Sequence, residues 1–448
     1  MTTGFKTLLT LLTLGLASCS QEGVEPSGMA RLPADTAASS TAEIEAILHR
    51  HIEVLASDAY EGRAPATPGE EKTIAYLQAE FEKLGVGPGN GDSYFQAVAV
   101  TELTTSSDAL LYLQGSDYAA TLNYGEQMMM GSQQQLPFIT VQGSDVVFVG
   151  YGIVAPERNW NDYAGIDVTD KTVVILVNDP GYATQDASLF NGNAMTYYGR
   201  WTYKYEEAAR QGAAAALIVH ETGPAGYGWD VVSNSWSGPQ IGLQAADLNG
   251  SRTEIEGWLT LDSAEALFDG AGLDYVQLKA SAAIPGFTAV PLADIKASVS
   301  IKNSVRTSVS QNVIAAIPGT ARPDETIIYT AHWDHLGVNP EVPGDNIYNG
   351  AADNATGTAG LLALASLHSQ AAPAERSIVF LAVTAEESGL LGSQWYAEHP
   401  IYPIPGTVAN INMDNLNTVG RTYDVVVVGA NSSELEIYLE EAATAQGR

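Results

Sequence analysis

Short apolar runs alternate with helix-period stretches through the last third of the chain. Ile327-Ile328-Tyr329-Thr330-Ala331, Ile378-Val379-Phe380-Leu381-Ala382-Val383 and Val408-Ala409-Asn410-Ile411-Asn412-Met413 are near-continuous in apolar side chains. Such runs read as strands buried on both faces, the signature of a mostly parallel sheet flanked by helices in an α/β fold. Residues 312–317 start this sheet, and a helix over 355–369 presents Leu361, Leu362, Leu364, Ala365 and Leu367 as its packed face. Every run leads into a polar cluster: His332-Trp333-Asp334-His335, then Glu386-Glu387, then Asp414, with Asp353-Asn354 opening the helix. Ligands of open α/β sheets bind beyond the carboxyl ends of the strands. The clusters are therefore expected at one edge, forming one site.

The earlier chain is patterned differently. Ser40 and Glu43 form a capping box before a helix striped with Ile44, Ile47, Leu48, Ile52 and Leu55. Thr67, Pro68 and Glu70 open a second helix through Ile74, Leu77, Phe81 and Leu84, which stops at Gly85. Short alternating segments over 102–141 predict β structure. Residues 143–291 read as an inserted, smaller, β-rich α/β domain with strands at 146–149, 173–177 and 217–219 and a helix at 206–211. A strand at 425–428 and a helix at 433–445 close the pattern. The aromatic run at 197–204 suits either packing against a neighbour or a binding surface. His49 and His51 are expected on the surface, and His220 as a structural histidine.

Composition adds limits. The 448 residues are 45% hydrophobic and 16% charged, values of a globular protein, with a net charge of −32. That acidity excludes nucleic acid and anionic membrane surfaces as partners, since both require a basic face. Cys19 is the only cysteine, so there is no intrachain disulfide. Lys6, an apolar stretch over 8–16 and Leu16-Ala17-Ser18-Cys19 resemble the signal and lipobox of bacterial lipoproteins. Residues 1–18 are then a signal peptide, Cys19 the lipidated residue and 19–40 a flexible tether. Ser20 favours the outer membrane over the inner one. The expected location is that of an exported lipoprotein, at the outer membrane or periplasmic face, touching the membrane only through its lipid.

Imidazole and carboxylate donors without thiolate suit zinc, with manganese or cobalt as alternatives. His332, Asp353, Glu387 and Asp414 supply one imidazole and three carboxylates. Asp334 is spaced to accept the other ring N–H of His332, and Glu386, beside a ligand, is free to act as general base.

The segments His332-Trp333-Asp334-His335-Leu336-Gly337, Gly350-Ala351-Ala352-Asp353-Asn354-Ala355-Thr356-Gly357, Thr384-Ala385-Glu386-Glu387-Ser388-Gly389 and Asn412-Met413-Asp414 resemble the co-catalytic zinc aminopeptidase family. Glutamate carboxypeptidases, glutaminyl cyclases and the transferrin receptor are its relatives. The resemblance implies a zinc exopeptidase-like domain over 41–142 and 292–448, with 143–291 as the protease-associated domain often inserted in this family. It implies two zinc ions, one held by His332 and Asp414, the other by Glu387, with Asp353 bridging through a cis peptide to Asn354. Glu386 is then the general base toward peptides with a free amino terminus. A carboxypeptidase, a cyclase-like enzyme and a non-catalytic receptor-like relative are the alternatives. The family pattern places a further histidine ligand well downstream of Asp414. The seven histidines are at 49, 51, 220, 332, 335, 368 and 399, so the peptidase domain is expected to be truncated at its C-terminus, with His335 expected in packing or on the substrate side.

Overall fold

The computed structural model describes residues 34–340, 342–420, 422–424, 427 and 433–447, with side chains from residue 41 onward. The expected signal peptide, Cys19 and most of the tether lie outside the described residues, as does most of the strand expected at 425–428. The chain divides into two units, Met1–Ala46 and Ile47–Arg448. Among the described residues, no helix is long and apolar enough to cross a membrane.

Helix α1 (Ala34–Leu55) starts before the expected Ser40 cap, because alanines at 34, 37 and 38 are strong helix formers that carry the helix through it. His51 is buried rather than exposed, its Nδ1 2.6 Å from the Tyr76 hydroxyl on helix α2 (Pro68–Lys83). Burial, aided by Arg50, pulls its pKa down to about 4. Helix α2 opens at Pro68 as expected, but no capping box closes it. The Thr67 hydroxyl donates to the Ala64 carbonyl, while the Glu70 carboxylate accepts from the Ala66 N–H and the Ser310 hydroxyl.

The principal strands are β1 (Phe95–Thr105), β2 (Leu110–Gln114), β3 (Ala119–Asn123), β4 (Met128–Gly131), β5 (Phe138–Phe148), β6 (Thr172–Leu176), β7 (Ala215–His220), β8 (Ile255–Thr260), β9 (Val290–Ile317), β10 (Arg322–His332), β11 (Arg376–Val383) and β12 (Thr407–Asn412). They join in the order β12-β10-β11-β9-β5-β6-β7-β8-β4, with β1, β2 and β3 off this path. The sheet is mixed. Strands β12, β10 and β11 are parallel to one another, as are β5 to β8, whereas β9 is antiparallel to every strand it meets. The 28 residues of β9 run through both parallel sets.

Around the expected site, the strands are apolar on both faces because both are covered. Val313, Ala315, Ala331, Phe380 and Ala382 pack toward Leu77 and Phe81 of α2 and toward Leu361, Leu362 and Ala365 of helix α4 (Thr356–Gln370), which follows α3 (Trp201–Arg210) in the chain. Ile314, Ile328, Val379, Leu381 and Val383 face the other way, onto Tyr396 of helix α5 (Leu391–Glu398). Strands β5 to β8 separate two further cores in the same alternating manner. Pairing of β2, β4 and β5 brings residues before 143 into this second part, and the early half of β9 extends it past 291. The aromatic run is split. Tyr203 and Lys204 are buried, while Tyr197 and Trp201 stay exposed. His220 is held by the Tyr227 carbonyl at 3.0 Å, a structural placement.

Phe380 is fully buried, with the rings of Phe81 and Tyr329 each 6.0 Å away. Phe380→Ala is expected to cost about 3–5 kcal/mol of stability, read from the urea midpoint of tryptophan fluorescence. A loss under about 1 kcal/mol, the level of an ordinary surface change, contradicts the assigned packing.

Candidate metal centre

His332 is the last residue of β10, and the Trp333 N–H donates to the Val383 carbonyl at the end of β11 at 3.0 Å. The two strands therefore end together. The His332 ring is 2% exposed, and its Nδ1 lies 3.1 Å from the backbone carbonyl of Asp334 but 3.7 Å from that residue's carboxylate. The ring Nδ1 is thus nearer the main chain of Asp334 than the side chain expected to hold it. The Asp334 carboxylate, wholly buried, instead accepts the N–H groups of Glu386 at 3.1 Å and Glu387 at 3.4 Å. The reason is the turn after β11. Ala385 takes a left-handed conformation (φ 51) that folds the chain back over Asp334, and two successive amides claim its two oxygens.

With Nδ1 as donor, Nε2 is the ring atom turned toward the carboxylates, and it offers a lone pair to a cation once its proton is lost. It lies 3.1 Å from Asp353 Oδ1, 3.4 Å from Asp414 Oδ1 and 3.7 Å from Glu386 Oε2. Asp353 Oδ1 is buried and has no hydrogen-bond partner. Among the described residues, His332, Asp353 and Glu387 can place one ligand atom each within 4.8 Å of one another. The Asp353–Asn354 peptide is cis, as the resemblance implies.

Two neighbours that sequence reasoning did not place in these roles hold the ligands. Asn354 donates Nδ2–H to the Met413 carbonyl at 3.0 Å, and its Oδ1 accepts the N–H groups of Gly357 at 2.9 Å and Asn415 at 3.3 Å. One amide therefore ties the loop of Asp353 to both sides of Asp414. His335 lies with Nδ1 2.5 Å from Glu387 Oε1, so it orients a ligand and is not merely packed. An asparagine next to an aspartate, and a histidine three after a histidine, carry no local sequence signal for these contacts.

The electrostatics favour a cation. Burial lowers the pKa of His332, but Asp334, Glu386 and Asp414 outweigh it and push the value up to about 9. Burial raises the Glu386 carboxyl, His332 opposes, and the carboxylates of Asp334, Asp414 and Glu387 raise it further. Converging lone pairs, an orphaned buried oxygen and a donor set of imidazole and carboxylates fit a divalent ion such as zinc.

The model of peptidase family M28 matches residues 312–448. Those residues belong to peptidase family M28. All the candidate ligands, with Asp334 and Glu386, lie within this M28 segment. A stretch of 138 residues is 29% identical to Aminopeptidase YwaD of Bacillus subtilis (strain 168), covering 30% of this chain and 28% of that protein. Aminopeptidase NAALADL1 of Mus musculus is 34% identical over 166 residues, 35% of this chain and 20% of that protein. The similarity thus spans about a quarter of these curated relatives. An aminopeptidase structure from Aneurinibacillus sp. strain AM-1 aligns with a TM-score of 0.44 at 22% identity, over 83% of this chain and 70% of that one.

The raised pKa of His332 sets a pH signature for the metal-free protein. Because the folded value, about 9, lies above the ordinary 6.5, the protonated ring contributes stability that is full below 6.5 and lost as pH rises toward 9. The raised Glu386 carboxyl acts in the same direction. Melting temperatures in chelator are expected to fall over this window, and those in zinc to stay flatter. Identical slopes with and without zinc contradict the placement of His332 at the cation site.

Proposed function

We propose that this chain is a zinc-dependent aminopeptidase. The carrying observation is the convergence of His332 Nε2 on the unpartnered Asp353 Oδ1 at 3.1 Å, ringed by Glu386, Glu387 and Asp414. His332, Asp353, Glu387 and Asp414 are the residues that would hold zinc, which when bound lowers the pKa of water and stabilises oxyanion charge. Glu386 is left without a ligand role. It takes the proton of the attacking water as oxygen adds to the peptide carbon, and returns it to the amine as the C–N bond breaks. A carboxyl raised by burial and neighbouring carboxylates holds that proton better than an ordinary glutamate. Asp353 and Asp414 have side chains 42% exposed, so carboxylate charge faces the open side, where a substrate's terminal ammonium is favoured. The two relatives from Bacillus subtilis and Mus musculus are both named aminopeptidases, which supports this substrate class.

We read the signal and lipobox pattern ending at Cys19 as the anchor of an exported lipoprotein. The region 143–291 is read as a protease-associated insertion; the cores around β5 to β8 favour a second part of the molecule there, one that also takes in residues from 109 and up to 301.

Glu386→Gln tests the mechanism. With an aminoacyl p-nitroanilide, kcat is expected to fall by about 10²–10⁴-fold while zinc binding persists. Activity left intact, or equal cleavage of the N-acetylated substrate, overturns the aminopeptidase reading.

A further inference from the structure

Arg63 lies far before the M28 segment and has no part in the chemistry above, yet it is 1% exposed. It ends the turn of residues 58–63, where Glu61, Gly62 and Arg63 take left-handed conformations with φ of 51, 62 and 53. This reversal drives the guanidinium inward. Only glycine fits at 62, since a Cβ there would lie 2.5 Å from the carbonyl oxygens of both Gly337 and Tyr348.

The guanidinium spends its donors on main-chain carbonyls. Nε–H donates to Trp333 at 2.9 Å, Nη1 to Leu55 and Asn349 at 2.7 Å each, and Nη2 to Gly350 at 2.8 Å. Trp333 separates His332 from Asp334, and residues 349–350 lead into Asp353. One planar group therefore grips both ligand loops and the end of α1. The turn adds further ties. The Arg63 carbonyl accepts the His335 N–H at 3.3 Å, and the Asn349 side chain donates to the Ala56 carbonyl and the Asp58 carboxylate, each at 2.9 Å. At Gly350 the fit leaves no space, as a Cβ would meet Asp353 O, His335 Cγ and Arg63 Nη2 at 2.5–2.6 Å.

A buried cation normally seeks a carboxylate. None of these hydrogen bonds goes to one, although the charges of Asp334, Asp353 and Glu387 all favour the cation. The fixed fork suits several carbonyls at set angles, a geometry that the single ammonium of lysine does not reproduce.

We propose that Arg63 is a positioning residue of the metal centre: it fixes the spacing between the loop of His332 and the loop of Asp353, so that a zinc site within the M28 segment depends on a residue outside it. This rests on the zinc reading above. Groups that orient ligands typically contribute 10–100-fold in metal affinity.

The test measures zinc affinity of the whole chain by competition with a chromophoric chelator, with circular dichroism of the metal-free protein as the folding control. Arg63→Lys keeps the charge and loses the fork. It is expected to fold, to bind zinc about 10–100-fold more weakly, and to recover kcat when zinc exceeds its new dissociation constant. A folded Arg63→Lys that binds zinc as tightly as the unaltered chain overturns the proposal, whatever happens to its melting temperature. Should Arg63→Lys not fold, Arg63→Gln, which removes the buried charge and keeps one amide donor in place of the fork, decides. Weaker zinc binding supports the clamp, and unchanged binding overturns it. An unaltered chain that does not bind zinc overturns the metal reading itself, a result distinct from either variant.

Discussion

Carboxylates do not gather around one imidazole unless the backbone that carries them is held from elsewhere. Asp353, Glu386 and Asp414 each place an oxygen within 3.1–3.7 Å of His332 Nε2. Like charges gathered around one ring repel and would spread if their loops were free. The site is stable because its neighbours spend hydrogen bonds on main-chain groups. Asp334 takes the amides of Glu386 and Glu387, Asn354 spans both sides of Asp414, and Arg63 grips the carbonyls of Trp333, Asn349 and Gly350. A bound cation then meets ligands that need little rearrangement.

The sheet supplies the common origin of these loops. Strands β10, β11 and β12 are parallel, so their carboxyl ends fall on one edge, and His332, the Glu386–Glu387 turn and Asp414 leave from that edge together. The antiparallel β9 braces the same region from behind. Its Asn312 side chain accepts the Thr384 N–H at 3.0 Å, and its Ser310 hydroxyl lies 2.5 Å from that of Thr384, just before the Glu386–Glu387 turn. Since β9 also runs into the second set of parallel strands, one long strand connects the metal edge to the larger β portion of the molecule.

Elements whose cause is local or periodic were legible along the chain. Runs such as 378–383 are apolar without alternation, which marks a strand covered on both faces, and the structure covers both. The polar clusters at the strand ends were legible for the same reason, because a period that stops leaves its polar residues at an edge. The metal-ligand candidates could therefore be named before any distance was known. What local pattern does not carry is the partner of a side chain distant in the chain. Asp334 looked like the acceptor for His332 at two residues' spacing, but the turn at Ala385 brought the amides of residues 386 and 387 to it first. His51 looked like a surface residue, but packing of α1 on α2 buried it against Tyr76. Arg63 gave no signal at all, since its partners are carbonyls, which every residue possesses. Residue type and period fix what a segment is and where its chemistry emerges; which oxygen faces which proton is decided only when tertiary contacts choose among many equivalent backbone groups.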